Sequence, residues 1–387
     1  MKLSGFISRE KLVSGFQAIT NIRFSVSRST LLTFSALILI LFLAFSIRLF
    51  PIRWGLELSE FDPYFQFRFS EHIVNTGFAD WGTWYDSQRW YPLGYTINIA
   101  EKAFPGLPLT AAASYTILSV LGVPISLYDF CILFPAIFGT LAILMAFFLG
   151  KDMGGKIVGL FSAFFLALNP SHITRTAAGF FDDETVGIGG ILLFAFLFLR
   201  AMDKERSPKD SIIYAVTAGL ALGYVAATWG AALYPIAMAT LFVFALILLK
   251  RYSRRLLLSY SLTFGLGLFL AINVPKRGIE FLSTWAILPV LGVFALLCLH
   301  EVLNALKSNR SKIITVAVFL TIIVVGFLSL SLLGYMGDIG SKFVRVVNPL
   351  QRGGSEIYQS DQEHRLTAWG SLYYDYGVGV LFFALGL

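Results

Sequence analysis

Three acidic stretches in this 387-residue chain could do chemistry: Glu60 and Asp62 in SEFDPYFQFR (59–68), Asp182, Asp183 and Glu184 in GFFDDETVGIGG (179–190), and Glu363 in SDQEHRLTAW (360–369). The first two adjoin strongly apolar runs, and a carboxylate at membrane depth is costly. Oxygen ligands of this kind suit a hard divalent cation such as Mg2+ or Mn2+, which can also hold the phosphate of a substrate. Each stretch has a structural reading too. Asp62 before Pro63 can cap a helix, the triplet can face a helix N-terminus, and Glu363 can be a solvated loop charge. His72, His172, His300 and His364 are scattered, and Cys131 and Cys298 lie inside apolar runs, so neither a zinc site nor a disulfide is indicated.

The elements that must position these acids are membrane helices. The chain is 57% hydrophobic and 14% charged, where a soluble domain carries about 25% charged residues. Its apolar residues fall in blocks of about 20, enough to cross a hydrocarbon core of about 30 Å as helix. They lack the two-residue alternation of a barrel strand. The pattern predicts an all-α polytopic bundle of about nine complete spans plus the start of a tenth. The net charge of +7 reads as topology and not as nucleic-acid binding, because Lys and Arg gather between the apolar blocks.

Residues 1–29 carry five Lys or Arg against one acid and are expected to be cytosolic by the positive-inside rule. The first span, about 30–50, then exits to an external aromatic-rich loop, 51–130. Within it LTAAASYTILSVLGVP (109–124) is short and is read as not crossing. Spans near 131–150 and 156–170 follow, and the acidic triplet falls outside. Spans near 186–202, 211–228, 231–249, 256–273, 283–300 and 313–333 complete the set before a second external loop, 334–372. Short loops assigned inside are basic. Short outside loops carry few positive charges, with Lys276 and Arg277 the main exception. The domain from 30 to 387 is expected to be catalytic, with all three acidic stretches on its external face.

The motifs resemble those of the catalytic subunit of oligosaccharyltransferase, the STT3, AglB and PglB family, in its archaeal AglB-like form. EFDPYFQFR (60–68) is similar to the family's first acidic motif, and Trp84 to Ile97 to the stretch that follows it. SHITRTAAGFFDDETVGI (171–188) resembles the second acidic motif, and QSDQEHRLTAWGS (359–371) the Glu-containing motif of the external loop, with Glu356 a fallback for Glu363. The resemblance implies a GT-C type membrane fold. It also implies transfer of a glycan, with inversion, from a dolichol (pyro)phosphate donor to the Asn of an Asn-x-Ser/Thr sequon. Carried over by residue, Asp62, Asp182 and Glu184 match metal ligands, Mn2+ or Mg2+ being expected. Asp62 and Glu363 match the acids that hold the acceptor amide. Arg68, Arg175 and Arg365 are assigned to the donor phosphate. The implied partners are the lipid-linked donor, a sequon peptide and membrane lipid, with no nucleic acid. The implied location is the cell membrane, with the active site outside.

YYDYG (373–377) is similar to the family's sequon-reading motif, but it enters an apolar run and is read as a helix entrance. The chain is expected to be cut within its tenth span, lacking the soluble sequon-binding domain. Two other readings stand beside this one. One is a GT-C glycosyltransferase using a dolichol-phosphate monosaccharide, which the second acidic motif and the Glu loop disfavour. The other is a transporter or channel with an acidic cation site, which predicts acids midway along broken helices.

Overall fold

The computed structural model describes residues 27–88, 97–284, 286–332, 368–377 and 379–386. Helix α1 (Arg28–Arg48) starts at Ser27, whose side chain accepts from Thr30 N, and runs into a short 3-10 turn, Phe50–Trp54. Helix α2 (Phe61–Thr76) carries Asp62 in its first turn. A two-residue antiparallel pairing of Tyr85–Asp86 with Ile97–Asn98 follows, then the single turn α3 (Ile99–Lys102) and α4 (Gly106–Val120). The 15 residues of α4 span about 22 Å, too short to cross, as its apolar length had suggested.

Helix α5 (Leu127–Leu168) is 42 residues long, which straight would reach about 63 Å, twice a bilayer core. It is not straight: Gly154 (φ −148, ψ 17) and Gly155 (φ 86, ψ −176) break it. The positive φ at Gly155 is open to glycine and strained for other residues. The two expected spans on either side of KDMGGK are therefore one helical stretch folded back at a glycine pair. A short helix α6 (Pro170–Thr174) leads to the acidic triplet. The remaining spans are α7 (Glu184–Met202), α8 (Pro208–Thr228), α9 (Leu233–Leu248), α10 (Arg254–Ile272), α11 (Leu288–Ala305) and α12 (Asn309–Leu332).

Among the described residues eight helices are long and apolar enough to cross a membrane. Both expected spans near 131–150 and 156–170 fall on α5, one on each side of its glycine break, so the eight helices cover the nine stretches expected. Helices α13 (Trp369–Tyr376) and α14 (Gly379–Gly386) end the described chain. YYDYG forms the last turn of α13 with Gly377 as its C-cap, and so lies just before the apolar α14 and does not open α13; Asn169 Nδ2 donates to Asp375 O at 3.2 Å.

The core of the bundle is α8, packed between α7 and α10, with Leu222, Val225, Tyr260 and Phe264 buried among them. Close approach depends on small residues, as is usual between membrane helices. A Cβ on Gly223 would stand 2.6 Å from Leu270. At one end of the bundle Arg200 of α7 forks onto Asp152 beside the α5 bend, and Lys156 Nζ reaches Thr30 Oγ1 at 3.2 Å. The acidic triplet lies at the other end of α7, so the basic loop 151–156 and the acids are separated by the bundle's thickness.

Candidate functional site

The lead into α2 and the ribbon entering α7 are tied through the backbone. Ser59 N donates to Gly179 O at 3.0 Å, Gly179 N to Ile132 O at 2.9 Å, and Ala178 N to Arg48 O at 2.8 Å. Gly179 sits at φ +92, and a Cβ there would lie 2.5 Å from Glu57 O. Glu60, at the N-cap of α2, has φ 64, a conformation that costs a non-glycine residue about 1–3 kcal/mol and tends to cluster at functional sites. Two acidic stretches remote in sequence are thereby held side by side before any side chain contributes.

A buried cation braces the same ribbon. Arg48 is fully buried. Its Nε donates to Thr176 Oγ1 at 2.8 Å, its Nη1 to Ala44 O at 3.0 Å, and its Nη2 to His172 Nδ1 at 2.5 Å. His172 must be neutral to accept that bond. Burial first, and then the Arg48 charge, lower its pKa from 6.5 to about 3. The unfolded chain binds a proton below about pH 6.5 that the folded protein refuses until about pH 3, so stability falls as pH drops through that window. His172→Gln keeps an acceptor for Arg48 and removes the titration. We expect thermal unfolding between about pH 7 and about pH 5 to show a shallower loss of stability in this variant than in wild type. Equal slopes would contradict the assignment.

The acids open two helices without capping them. Glu60, not Asp62, is the N-cap of α2, and Asp183 is the N-cap of α7; neither accepts a capping hydrogen bond. The capping role considered for Asp62 is therefore not observed: it lies in the first turn, where the helix dipole favours it. Asp182 Oδ1 accepts from Asp183 N at 2.8 Å and from Gln66 Nε2 at 3.3 Å, and Gln66 Nε2 also reaches Asp183 Oδ1 at 3.1 Å. Burial, and more weakly the negative charge of Asp62, raises the pKa of Asp182. Burial followed by Asp182 and Glu184 raises that of Asp183 well above the usual carboxylate range.

Asp62, Asp182, Asp183 and Glu184 all line one cavity of about 240 Å³, together with Gln66, Phe104, Trp229, Lys102 and Lys276. At about 30 Å³ per water this is room for an ion and a phosphate or carboxamide group. The residues expected as metal ligands, Asp62, Asp182 and Glu184, share this lining. The sequence reading missed Gln66, which stands four residues after Asp62 and so on the same helix face. It also missed Lys102 and Lys276.

Arg68 does not line the cavity: its Nη2 donates to the buried Asp86 Oδ1 at 2.8 Å, tying α2 to the 85–88 turn. Arg175 does not line the cavity either: its Nη1 stands 3.7 Å from Glu184 Oε1 and its guanidinium lies over Phe180. Glu356, Glu363 and Arg365 lie outside the described residues.

The donor chemistry fits a hard cation. All candidate ligands are oxygens, four acids face two ammonium groups, and the buried Oε1 of Gln66 has no hydrogen-bond partner among the described residues. Among those residues no three His, Cys, Asp or Glu side chains stand close enough together to form a finished metal site.

Fold and site together define a polytopic helical membrane protein with an acidic cavity at the N-terminal ends of two helices. Residues 31–358 match the family described as "Oligosaccharyl transferase STT3, N-terminal", and the chain belongs to that family. It is 31% identical over 367 residues to the rice dolichyl-diphosphooligosaccharide–protein glycosyltransferase subunit STT3B, covering 92% of this chain and 50% of that protein. The chain thus spans about half the length of such relatives. The archaeal leaning of the sequence reading is not borne out, since this relative is eukaryotic.

Archaeoglobus fulgidus AglB, solved with an inhibitory peptide and a dolichol-phosphate, superposes with TM-score 0.63 at 17% identity, over 92% of this chain and 44% of that one. The A. fulgidus oligosaccharyltransferase solved with Zn and sulfate gives TM-score 0.59 at 20% identity, over 78% and 40% respectively. At these identities the likeness establishes the fold, which is of GT-C type.

Proposed function

We propose that this chain carries the membrane catalytic portion of an oligosaccharyltransferase. It would move a glycan from a dolichol (pyro)phosphate donor to the Asn of an Asn-x-Ser/Thr sequon, inverting the sugar carbon. The observation that carries this reading is the meeting of Asp62, Asp182 and Glu184 in one cavity, in a chain of the STT3 family.

Asp62, Asp182 and Glu184 would hold a divalent cation, Mn2+ or Mg2+, with Glu363 arriving from the 334–372 loop. When bound, such an ion supplies Lewis-acid stabilisation of the charge that develops on the departing phosphate. Acids outnumber the lysines in the cavity lining, an excess that a bound cation would offset.

A carboxamide nitrogen is a poor nucleophile because its lone pair is delocalised into the carbonyl. Asp62, with Glu363, would accept hydrogen bonds from both amide N–H groups, orienting the nitrogen and weakening that conjugation. Gln66 and the Asp183 N–H fix the Asp182 carboxylate in place beforehand, so little reorganisation is left for the transfer itself. The glycan would extend from the open side of the cavity, with the lipid chain along the bundle.

We further assign the N-terminus to the cytosol, the cavity to the external face of the cell membrane, and residues 30–387 to one catalytic membrane domain. The test is transfer to a fluorescent sequon peptide by the protein in detergent with a lipid-linked oligosaccharide. Chelation should lower transfer by at least about 100-fold, and Mn2+ or Mg2+ should restore it. Full activity after exhaustive chelation would refute the metal role. Transfer of a single sugar to a lipid or glycan acceptor, and none to peptide, would favour the dolichol-phosphate monosaccharide reading.

A further inference from the structure

Lys276 and Arg277 break the charge asymmetry of the loops, and the structure gives the two residues different tasks. Arg277 is spent on the fold. Its Nε donates to Ala226 O at 2.7 Å and its Nη2 to Trp229 O at 2.9 Å, at the C-terminal end of α8. There a cation meets unsatisfied carbonyls and the negative end of the helix dipole. The guanidinium also lies over Phe104 and Phe281, at 5.0 and 4.5 Å from the ring centroids.

The neighbouring Lys276 is thereby delivered to the acid cavity. Its Nζ stands 3.8 Å from the Phe104 ring centroid, and it lines the cavity together with Lys102, two residues before that ring. The acids come from the first turns of α2 and the entry to α7. The ammonium groups come from α3 and the α10–α11 loop. Gln66 belongs to the same lining and is only 7% exposed, and its amide oxygen has no hydrogen-bond partner among the described residues. The cavity wall is thus built for a ligand that brings both an electropositive centre and an anion.

We propose that Lys276, with Lys102, is the anion-binding pole of this cavity and takes the phosphoryl oxygens of a lipid-borne phosphate. The proposal rests on reading the cavity as a glycan-transfer site. It moves the phosphate contact from Arg68 and Arg175, which do not line the cavity, to two lysines that do. Four carboxylates alone would repel a phosphate ester. A cation held by the acids and an ammonium group lining the same cavity would together receive it. Lysine suits this task as a compact point charge on a flexible stem.

The test compares wild type, Lys276→Gln and Lys276→Arg, as the complete protein in detergent. Three quantities are measured: affinity for a short-chain dolichyl phosphate, affinity for Mn2+, and KM for the sequon peptide. Loss of a charge-assisted hydrogen bond should weaken dolichyl phosphate binding about 10- to 100-fold in Lys276→Gln. Removing a positive charge beside the acids should leave Mn2+ affinity unchanged or tighten it. Peptide KM should stay within about twofold, and Lys276→Arg should recover most of the phosphate affinity.

Wild-type affinity for dolichyl phosphate in Lys276→Gln would overturn the proposal while leaving the transferase reading intact. So would a parallel weakening of Mn2+, which marks a merely structural lysine. Inorganic phosphate binding to wild type as tightly as the lipid would assign the pole to small anions and also overturn it. Absence of dolichyl phosphate binding in wild type would instead sink the donor reading itself.

Discussion

Asp182→Asn is expected to lower glycopeptide formation by about three orders of magnitude while leaving the protein as stable as wild type, or more so. The two expectations come from one geometry. Asn keeps the size of the side chain and keeps Oδ1, which accepts from Asp183 N and from Gln66 Nε2. What it removes is the charge. That charge is disfavoured in the folded protein by burial and by Asp62, as the raised pKa of Asp182 records. A carboxyl whose folded pKa lies above its unfolded value costs stability once pH exceeds the unfolded pKa, so its removal cannot weaken the fold near neutrality. The charge is also what would hold the divalent ion. Initial rates with lipid-linked oligosaccharide and peptide, beside thermal unfolding of the same samples, separate the two effects. Turnover near wild type would exclude Asp182 from the machinery; a misfolded variant would mean the charge supports the fold.

Gly179→Ala tests how the two acidic stretches are brought together. At φ +92 an alanine is strained by about 1–2 kcal/mol. Its Cβ would also press against Glu57 O, which must move because 2.5 Å is no van der Waals distance. The segment that must yield is Glu57 to Ser59, the lead into α2, and Asp62 moves with it. We expect a loss of about 2–4 kcal/mol in stability. We also expect a fall in activity of at least about 100-fold, because a shift of about 1 Å at a catalytic group is enough for that. Ala at Gly82, where a Cβ would meet nothing within 4 Å, is the control. Equal behaviour of the two variants would show that the Gly179 tie does not set the site.

The spans were legible because a hydrocarbon solvent permits few solutions: runs of about 20 apolar residues must be helices. The short α4 was legible for the same reason in reverse. The acids were legible because charge next to such runs needs a cause. Their local geometry was not, since the Asp-Pro pair suggests a cap at Asp62, while the backbone instead places the cap at Glu60 with a positive φ. Nor could the sequence separate arginines by task. Arg68 sits in an acidic motif yet is bound to Asp86, eighteen residues on, whereas Arg48, in an apolar run, braces the ribbon that carries the second motif. The cavity lysines were hidden because loop cations are ordinarily read as topology. Lys276 registered only as an irregularity in that pattern.

The glycine bend in α5 bears on how the protein is made. The two arms joined by so tight a reversal can enter the lipid together as a preformed pair, since each already satisfies its own backbone hydrogen bonds and the glycine pair lets them pack at once. Asp152, beside the bend, stays polar and meets its guanidinium partner, Arg200, only after α7 has been synthesised. Since α7 also carries the second acidic motif at its far end, the contact that anchors its near end and the acids that line the cavity can be set only once α7 has joined the hairpin.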